Sequence, residues 1–249
     1  MTPGGASPFL LFGTAHVLTM LLTGIAAIAF PLFVQARVAP VRWHTIGTVI
    51  GISLVTQELL KTGALVWWYD VPLQRSLPLQ LCGVETFLVA YLLVERSFAA
   101  FEVAYFWGLA GTAQAIVTPD LAEGFPSPTY LVFFLGHGLV IVGILYAVIV
   151  FRFRPTLRSV WKAVSATLAY LGCIAVLNLA LDTNYFYLRH KPNEASLMDY
   201  FGPWPWYIVT GIMVGAVFYL VCYLPFAVHG RQSLAPVAAP AGRAGGRSR

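Results

Sequence analysis

Seven long apolar segments constrain what this chain can fold into more than any other feature of its sequence. They lie near residues 9–34, 45–68, 79–94, 101–117, 130–151, 161–181 and 207–228. Most have about the 20 residues that an α-helix needs to cross a bilayer, and the third and fourth lie near the lower limit of roughly 17. Barrel strands would be about 10 residues long, with alternating polarity. We therefore predict an all-α, polytopic membrane protein with seven transmembrane helices.

The composition agrees with a membrane protein and excludes several other classes. Hydrophobic residues make up 59% of the chain and charged residues 10%, whereas soluble domains carry roughly 25% charged residues. The formal net charge of +5 then relates to topology and anionic lipid. We expect membrane lipids as partners and no nucleic acid. The three cysteines lack the paired spacings of a metal site, so we expect no metal and no cofactor.

The positions of Lys and Arg predict the orientation of the chain, because loops rich in these residues face the cytoplasm. Three of them lie in loops on one side, namely Arg75, Arg189 and Lys191, and Lys61 lies inside the second segment. The remaining Lys and Arg residues all fall on the other side. We predict that the N-terminus lies outside and the C-terminus in the cytoplasm.

The chain is predicted to contain one membrane domain, over residues 9–228. A short segment, residues 1–8, precedes it. Residues 229–249 follow it and are mostly Ala, Pro, Gly and Arg. Such a composition cannot bury a core, so this basic tail should be disordered.

Polar side chains inside the predicted helices lie at a common depth. At a rise of about 1.5 Å per residue, Cys82, Glu85 and His137 lie roughly 6–10 Å below the outer ends of their helices. The inner halves should hold almost no such groups. Ionisable groups inside a membrane are costly and mark functional sites by default, so we predict one polar site that opens to the outer side. Its members are His16, Glu58, Lys61, Gln80, Cys82, Glu85, Gln114, His137, Asn178 and Asp182.

Cys82 and His137 are the pair in this layer that suggests chemistry. A histidine can take the proton of a thiol, and the thiolate can then attack an acyl carbonyl to form a thioester. Glu85 shares a helical face with Cys82 and is a candidate to orient the imidazole, while Gln80 and Asn178 are candidates to stabilise an oxyanion. The sequence leaves open whether His16 or His137 is the base, and whether the site is only a binding cavity.

Structural roles explain several of the same residues. Glu58 and Lys61 stand at positions i and i+3, where they can neutralise each other. A single histidine such as His16 is more often a satisfied core residue than a base. Asp182 stands where a helix meets water and can serve as a cap. Cys173 and Cys222 have apolar neighbours and are expected to serve in packing.

Five motifs together resemble those of the bacterial YwaF-like integral membrane proteins, which are grouped with the eukaryotic transmembrane protein 164 family. The resemblance extends from His16 to about Phe226. The longest motif lies in the last outer loop and the start of the seventh helix. The motifs are Leu77–Cys82, Thr118–Asp120, Gly136–Gly138, Asn184–Pro192 and Ser196–Tyr207.

The resemblance implies a seven-helix protein and, by analogy with the eukaryotic member, an acyltransferase. That member is regarded as moving a fatty acyl chain from a phospholipid to a lyso ether phospholipid, through a cysteine paired with a histidine. The matching residues here are Cys82 and His137. The resemblance therefore implies acyl transfer between phospholipid and lysophospholipid.

Two other functions stay open from the sequence. The first is transport or binding of a small solute, in which Glu58, Lys61, Glu85 and Asp182 relay protons or ions, although the chain shows no inverted repeat of the kind common in transporters. The second is a structural role in a membrane assembly, which leaves the one-sided polar layer unexplained.

Overall fold

Helices and short helical turns form nearly all of the regular structure. The structure is a computed structural model and describes residues 7–192 and 197–229. Apart from an isolated bridge between Pro8 and Glu123, these residues form no β-structure. The helices are α1 (Thr14–Arg37), α2 (Trp43–Trp67), α3 (Leu73–Ser76), α4 (Leu81–Glu95), α5 (Phe98–Trp107), α6 (Ala113–Val117), α7 (Pro128–Ile149), α8 (Leu157–Leu181) and α9 (Trp206–His229). Helices α5 and α6 are joined without a break by a π-helical turn, Gly108–Thr112.

Five helical stretches are long and apolar enough to cross a membrane: α1, α2 together with the turn before it, α7, α8 and α9. Their outward faces carry large apolar side chains such as Leu22, Leu60 and Val176, each about two-thirds exposed. These findings confirm the all-α membrane class. Helix α4 has 15 residues, and the run from α5 to α6 is divided by its π turn. Seven spans and the orientation stay predictions. The predicted tail lies almost entirely outside the described residues.

Each predicted apolar segment corresponds to one long helix or one continuous helical run. The largest shift is at the first segment, because α1 begins at Thr14 and not at Phe9. The stretch before it pairs instead with the loop that precedes α7: the Phe9 N–H donates to Ala122 O at 2.9 Å, and the Gly124 N–H donates to Ser7 O at 2.8 Å. These bonds satisfy backbone groups that a longer α1 would have used.

Helix α4 packs closely between α2 and α7. Gly51 of α2 faces it so closely that a Cβ there would lie 3.0 Å from Ala90 O. On the other side, a Cβ at Gly143 of α7 would lie 2.7 Å from the Val89 side chain. Small residues permit such close approach between membrane helices. This packing fixes the position of Cys82, on the first turn of α4, relative to α2 and α7.

The π turn between α5 and α6 lies directly behind α4. A Cβ at Gly108 would lie 2.0 Å from Ile144 Cδ1 and 2.6 Å from Glu85 Oε1, so a larger residue does not fit without rearrangement. The wider backbone of a π turn changes which side chains face a neighbouring helix. Here the turn ends at Thr112, whose side chain is buried against Glu85.

Glu102 is a buried charged residue on the side of the bundle that is predicted to be the inner one, where the sequence led us to expect almost no polar groups. This residue lies inside α5 and is buried. Ser159 Oγ donates to its Oε1 at 2.8 Å, and Lys162 forms an ion pair with its Oε2. Both partners lie on the first turns of α8, more than fifty residues away along the chain, so local sequence could not reveal them.

Candidate functional site

Two cavities meet inside the bundle. The first, of about 430 Å³, lies between α2, α4 and α7. The second, of about 530 Å³, runs from α4 and α6 to the loops beyond them. Six residues line both cavities: Glu58, Lys61, Leu65, Cys82, Phe133 and His137. Cys82 and His137 therefore stand where the two spaces join.

The two cavities differ in character. The first, which we call the apolar chamber, is completed mainly by apolar side chains such as Trp68, Val132 and Val140. The second, which we call the outer chamber, adds polar side chains from α3, α6 and the loops. Together they form an amphipathic space whose two parts meet at the thiol. The polar residues that only the outer chamber adds are Arg75, Ser76, Gln80, Gln114, Thr118, Asp120, Tyr185 and Tyr187.

Cys82 lies on the first turn of α4 and is half-buried. The turn is tightened where Gly83 approaches the Pro78 carbonyl, since a Cβ at Gly83 would lie 2.7 Å from Pro78 O. At the N-terminus of a helix, the positive end of the helix dipole stabilises negative charge. The sulfur is therefore placed where charge that develops during a nucleophilic attack is favoured.

Thr112 is a polar side chain next to the Cys82 thiol. Its Oγ1 lies 3.8 Å from Sγ and donates a hydrogen bond to Glu85 Oε2 at 2.5 Å. Because that donor hydrogen is used by Glu85, the Thr112 oxygen faces the thiol as an acceptor. Glu85 is fully buried, and its Oε1 has no hydrogen-bond partner in the described part of the chain. Glu85 thus supports Thr112, and it does not contact His137.

His137 presents a free ring nitrogen. Its Nδ1 lies 2.8 Å from Phe133 O, one turn earlier in α7. A carbonyl oxygen only accepts hydrogen bonds, so Nδ1 is the donor and the neutral ring keeps a lone pair on Nε2. Within residues 7–192 and 197–229, no hydrogen bond to Nε2 is formed. The ring also stacks on Phe133, with 3.9 Å between centroids. A backbone carbonyl and a stacked ring therefore orient this imidazole.

His16 is in a different situation. It is fully buried beside aromatic rings, including Phe9 and Phe134. The Phe12 N–H donates to Nδ1 at 3.0 Å, which leaves Nε2 as the donor to Ile116 O at 2.9 Å. Both ring nitrogens are therefore used, and His16 lines neither chamber. Of the two histidines considered as the base, only His137 borders Cys82's chambers.

Glu58 and Lys61 form an ion pair at 2.6 Å where the chambers join. Glu58 is buried, and its Oε1 has no partner among the described residues. The neighbouring Gln57 donates to Val132 O at 3.3 Å and so links α2 to α7, while its own Oε1 also lacks a partner there. These oxygens are buried acceptors beside the chambers, and buried acceptors without partners are costly.

The family of the chain follows from comparison with known proteins. Residues 11–223 match the model of the TMEM164 family. The chain belongs to the TMEM164 family. No curated protein and no solved structure matches it. Within the part of the chain that the structure describes, no group of His, Cys, Asp and Glu has the size and geometry to hold a metal ion.

In this TMEM164 family member, two further predicted residues line the outer chamber. Gln80 Oε1 accepts from the Phe186 N–H at 2.9 Å, which ties the start of α4 to the loop after α8. Gln114 Nε2 donates to Thr118 Oγ1 at 2.9 Å. Both amides are thus engaged at the chamber wall.

Asn178 and Asp182 lie apart from the two chambers. Asn178 is buried and holds the loop after α8: its Nδ2 donates to Tyr185 O, and its Oδ1 accepts from the Tyr185 N–H and from Thr183 Oγ1. Asp182 binds Arg189 at 2.6 Å, and this guanidinium holds the pKa of the Asp182 carboxyl below its ordinary value. Asn178 organises the loop, and Asp182 belongs to the surface beyond it.

Sequence reasoning missed Thr112 and Arg75. Thr112 lies thirty residues after Cys82 and faces it only because of the π turn, so no spacing pointed to it. Arg75 did carry a signal, since it is one of only three Lys or Arg residues in the loops of the predicted outer side. In the sequence, the position of Arg75 indicated only the orientation of the chain in the membrane.

Proposed function

We propose that this protein transfers fatty acyl chains between phospholipid and lysophospholipid, with Cys82 as the nucleophile and His137 as the base. The observation that carries the proposal is the junction itself. A thiol and an imidazole with a free Nε2 border the same two chambers, and the outer chamber has more polar side chains in its wall than the apolar chamber. An ester carbonyl of a phospholipid is likewise the point between an apolar chain and a polar headgroup.

In the first half of the reaction, His137 Nε2 takes the proton of the Cys82 thiol, and the thiolate attacks an ester carbonyl of the donor phospholipid. The ester C–O bond breaks. The departing alcohol oxygen takes the proton from His137, and lysophospholipid leaves. The acyl chain remains as a thioester on Cys82, in the apolar chamber.

In the second half, the hydroxyl of an acceptor lysophospholipid gives its proton to His137 and attacks the thioester. The C–S bond breaks, the sulfur recovers the proton, and the product is a phospholipid with the transferred chain. No oxidant is needed, because the acyl carbon has the same oxidation state in an ester and a thioester. No metal or nucleotide is needed either, because the thiolate is the nucleophile and the donor ester supplies the acyl group. Thr112 holds the sulfur, and Lys61 supplies positive charge near the developing oxyanion.

The same proposal includes seven membrane spans, with the N-terminus outside and the C-terminus in the cytoplasm of a bacterial inner membrane. Helix α4 is short for a span, at about 22 Å, but its apolar residues pack between α2 and α7 within the bundle. The asymmetry of Lys and Arg supports the orientation. Labelling of single introduced cysteines in intact cells with a membrane-impermeant maleimide tests it: the loop at residues 69–72 should react, and the loop at residues 152–155 should not.

An acyl-exchange assay tests the reaction. Purified full-length protein is placed in liposomes that contain a phospholipid with deuterated acyl chains and an unlabelled lysophospholipid, and mass spectrometry follows deuterated chains into new phospholipid. We expect exchange by the wild type and by the control Cys222→Ala, and none by Cys82→Ala. Exchange that survives Cys82→Ala, or a wild type without exchange, would overturn the proposal.

Transport or binding of a small solute is the second candidate function. It is favoured by the Glu58–Lys61 ion pair and by the unpartnered Glu58 oxygen beside the chambers. Uptake into proteoliposomes that persists in Cys82→Ser but is lost in Glu58→Gln would favour this alternative. A wild-type protein that takes up no solute would count against it.

A further inference from the structure

Arg75 lies at the mouth of the outer chamber and has no ion-pair partner among the described residues. It belongs to the short helix α3 and lines both the outer chamber and a third cavity of about 620 Å³ among the loops. Its guanidinium forms no hydrogen bond within the described ranges. The other arginine of that third cavity, Arg189, is bound to Asp182. Arg75 therefore supplies a positive charge that this part of the protein leaves free.

The segment that joins Arg75 to Cys82 is held in place at several points. Ser76 is buried, and its Oγ lies 3.2 Å from both Val71 O and Pro72 O. The Tyr185 hydroxyl donates to Gln74 O at 2.7 Å, and the Tyr170 hydroxyl donates to Leu79 O at 2.5 Å. These bonds fix the backbone of Arg75 relative to that of Cys82, and the exposed guanidinium extends from this fixed backbone. Preorganisation of this kind lowers the entropic cost of binding.

The position of Arg75 along the membrane normal can be read from its neighbours. Helix α2 ends at Trp67 and is followed by Trp68 and Tyr69, and all three side chains are more than half exposed. Tryptophan and tyrosine gather at the level of lipid headgroups. Arg75 follows Tyr69 by only a few residues, in the short helix α3. We therefore infer that Arg75 lies at the depth of the lipid phosphates.

The charges around Arg75 favour an anionic ligand of phosphate type. In the third cavity, Asp182 is neutralised by Arg189, which leaves Arg75 in excess. In the outer chamber, Glu58 is paired with Lys61, and Asp120 accepts a hydrogen bond from the Tyr187 hydroxyl at 2.7 Å and keeps its negative charge, so the excess of positive charge lies on the side of the third cavity. A guanidinium presents two parallel donors that match two phosphate oxygens.

We propose that Arg75 binds the phosphodiester of the glycerophospholipid whose acyl ester reaches Cys82, and that Arg75 is the residue by which the site discriminates phosphate-bearing lipid from neutral glyceride. This inference rests on the proposed function for the identity of the reacting ester. The headgroup then occupies the outer chamber, and one acyl chain extends past Cys82 into the apolar chamber. The free guanidinium selects the lipid class, and the thiol performs the transfer.

Protection of the Cys82 thiol measures this binding without requiring turnover. Full-length protein in detergent micelles is alkylated with N-ethylmaleimide. Mass spectrometry distinguishes alkylated, acylated and unmodified Cys82, so that only the unmodified thiol counts as protected and a thioester formed by reaction is not mistaken for binding. Dihexanoylphosphatidylcholine, dihexanoylglycerol and inorganic phosphate are compared as protecting ligands. We expect the phospholipid to protect at a concentration about tenfold lower than the neutral lipid, and phosphate alone not to protect.

Variants assign the difference to Arg75. In Arg75→Gln the advantage of the phospholipid over dihexanoylglycerol should disappear, whereas Arg75→Lys should keep part of it. Lys191→Gln is the matched control: it removes a cation from the same side of the membrane, and Lys191 lines neither chamber nor the third cavity. That control should keep the full advantage.

The outcomes separate this inference from the proposed function. Equal protection by the phospholipid and the neutral lipid in the wild type would overturn the inference, and this result needs no variant to fold. Protection by phosphate alone at the same concentration would also overturn it, because the ligand would then be the free anion. Protection that depends on Arg75, in a protein without acyl exchange, would support the inference and overturn the proposed function.

Discussion

Two buried glutamate–lysine pairs stand at different places in this bundle, and they differ in how completely they are satisfied. Glu102 pairs with Lys162 and accepts a second bond from Ser159, so both its carboxylate oxygens are bonded. Glu58 pairs with Lys61, but its Oε1 has no partner among the described residues, and both side chains line the chambers. Both pairs join a glutamate to a lysine, but only the Glu58 pair lines the chambers.

The difference distinguishes a pair that links two helices, Glu102–Lys162, from a pair that lines the candidate site, Glu58–Lys61. The Glu102 pair joins α5 to the start of α8, next to the capping box of Thr156 and Ser159, and it lines neither chamber. The Glu58 pair lines the same chambers as Cys82 and His137, and Glu58 Oε1 is buried there without a partner among the described residues. A buried polar group in a membrane protein is therefore informative when its bonds are incomplete and it borders open space.

The largest expected effect comes from His137→Gln. This variant tests whether a side chain that lines both chambers is needed for acyl exchange but not for the stability of the fold. Loss of the free Nε2 should lower the rate of acyl exchange by about 10²–10⁴-fold. The thermal unfolding temperature should change little, because the substitution alters one hydrogen bond, to Phe133 O, and one ring contact, with Phe133. The initial rate of exchange and a thermal melt measure the two effects. An unchanged exchange rate would remove His137 from the reaction.

Replacement of the two lysines by methionine tests the comparison directly. Lys162→Met leaves Glu102 buried without its cation, and we expect a loss of about 2 kcal/mol in the free energy of unfolding. This is less than for a fully buried pair, because the Lys162 side chain is 57% exposed and solvent screens it.

Lys61→Met should destabilise less than Lys162→Met, since water can enter the chambers and solvate Glu58, but it should slow acyl exchange. Unfolding titrations and the exchange assay separate the two variants. Equal losses of stability in both, or loss of exchange in Lys162→Met, would break the distinction between the pairs.

Thr112 tests an intermediate case, in which Glu85 has one bonded oxygen and one without a described partner. Thr112→Val removes the donor to Glu85 Oε2 and should lower the free energy of unfolding by about 1–2 kcal/mol. It should also change the rate at which maleimide alkylates Cys82. Thr112→Ser keeps the hydroxyl and should keep both properties near wild type.

Thr86→Val is the matched control for Thr112, because the Thr86 hydroxyl donates only to Cys82 O within α4. We expect a smaller loss of stability and little change in alkylation. If Thr86→Val and Thr112→Val behaved alike, the contact between Thr112 and the thiol would have no particular role.

The smallest effect is expected at Asp182, whose pair with Arg189 is exposed. Arg189 lowers the pKa of Asp182 in the folded protein, so the pair stabilises the fold above the ordinary carboxyl pKa of about 3.9. That contribution is lost as the pH falls through the lowered pKa. Thermal melts of Asp182→Asn and wild type should therefore differ slightly at pH 7 and converge as the pH falls below the lowered pKa of Asp182. A difference that persists in acid would contradict this account.

The sequence predicted the helices well because a bilayer imposes a strong and local requirement on them. Twenty apolar residues are readable from composition alone, and even the Glu58–Lys61 pair follows from its helical spacing. That Cys82 and His137 lie beside the same chambers could be predicted only from their similar depth in the membrane. Which side chains share a cavity depends on how α2, α4 and α7 rotate, and close packing at Gly51 and Gly143 sets those rotations.

The parts that sequence could not supply depend on distant residues. Thr112 faces the thiol because the backbone widens into a π turn where Gly108 meets Ile144. Glu102 stood next to a predicted loop, and its burial depends on α8. His16 and Asn178 had the right residue type and the right depth for the site, but the structure satisfies them with backbone groups away from the chambers.

The most direct test of the account is the location of the acyl group on the protein. Full-length protein is incubated with excess phospholipid and no added lysophospholipid, so that the only acceptor is the small amount released in the first half of the reaction, and peptides are examined by mass spectrometry. The account predicts a fatty acyl thioester on Cys82 that hydroxylamine removes, with Cys173 and Cys222 unmodified. An absent adduct, or equal modification of all three cysteines, would contradict it.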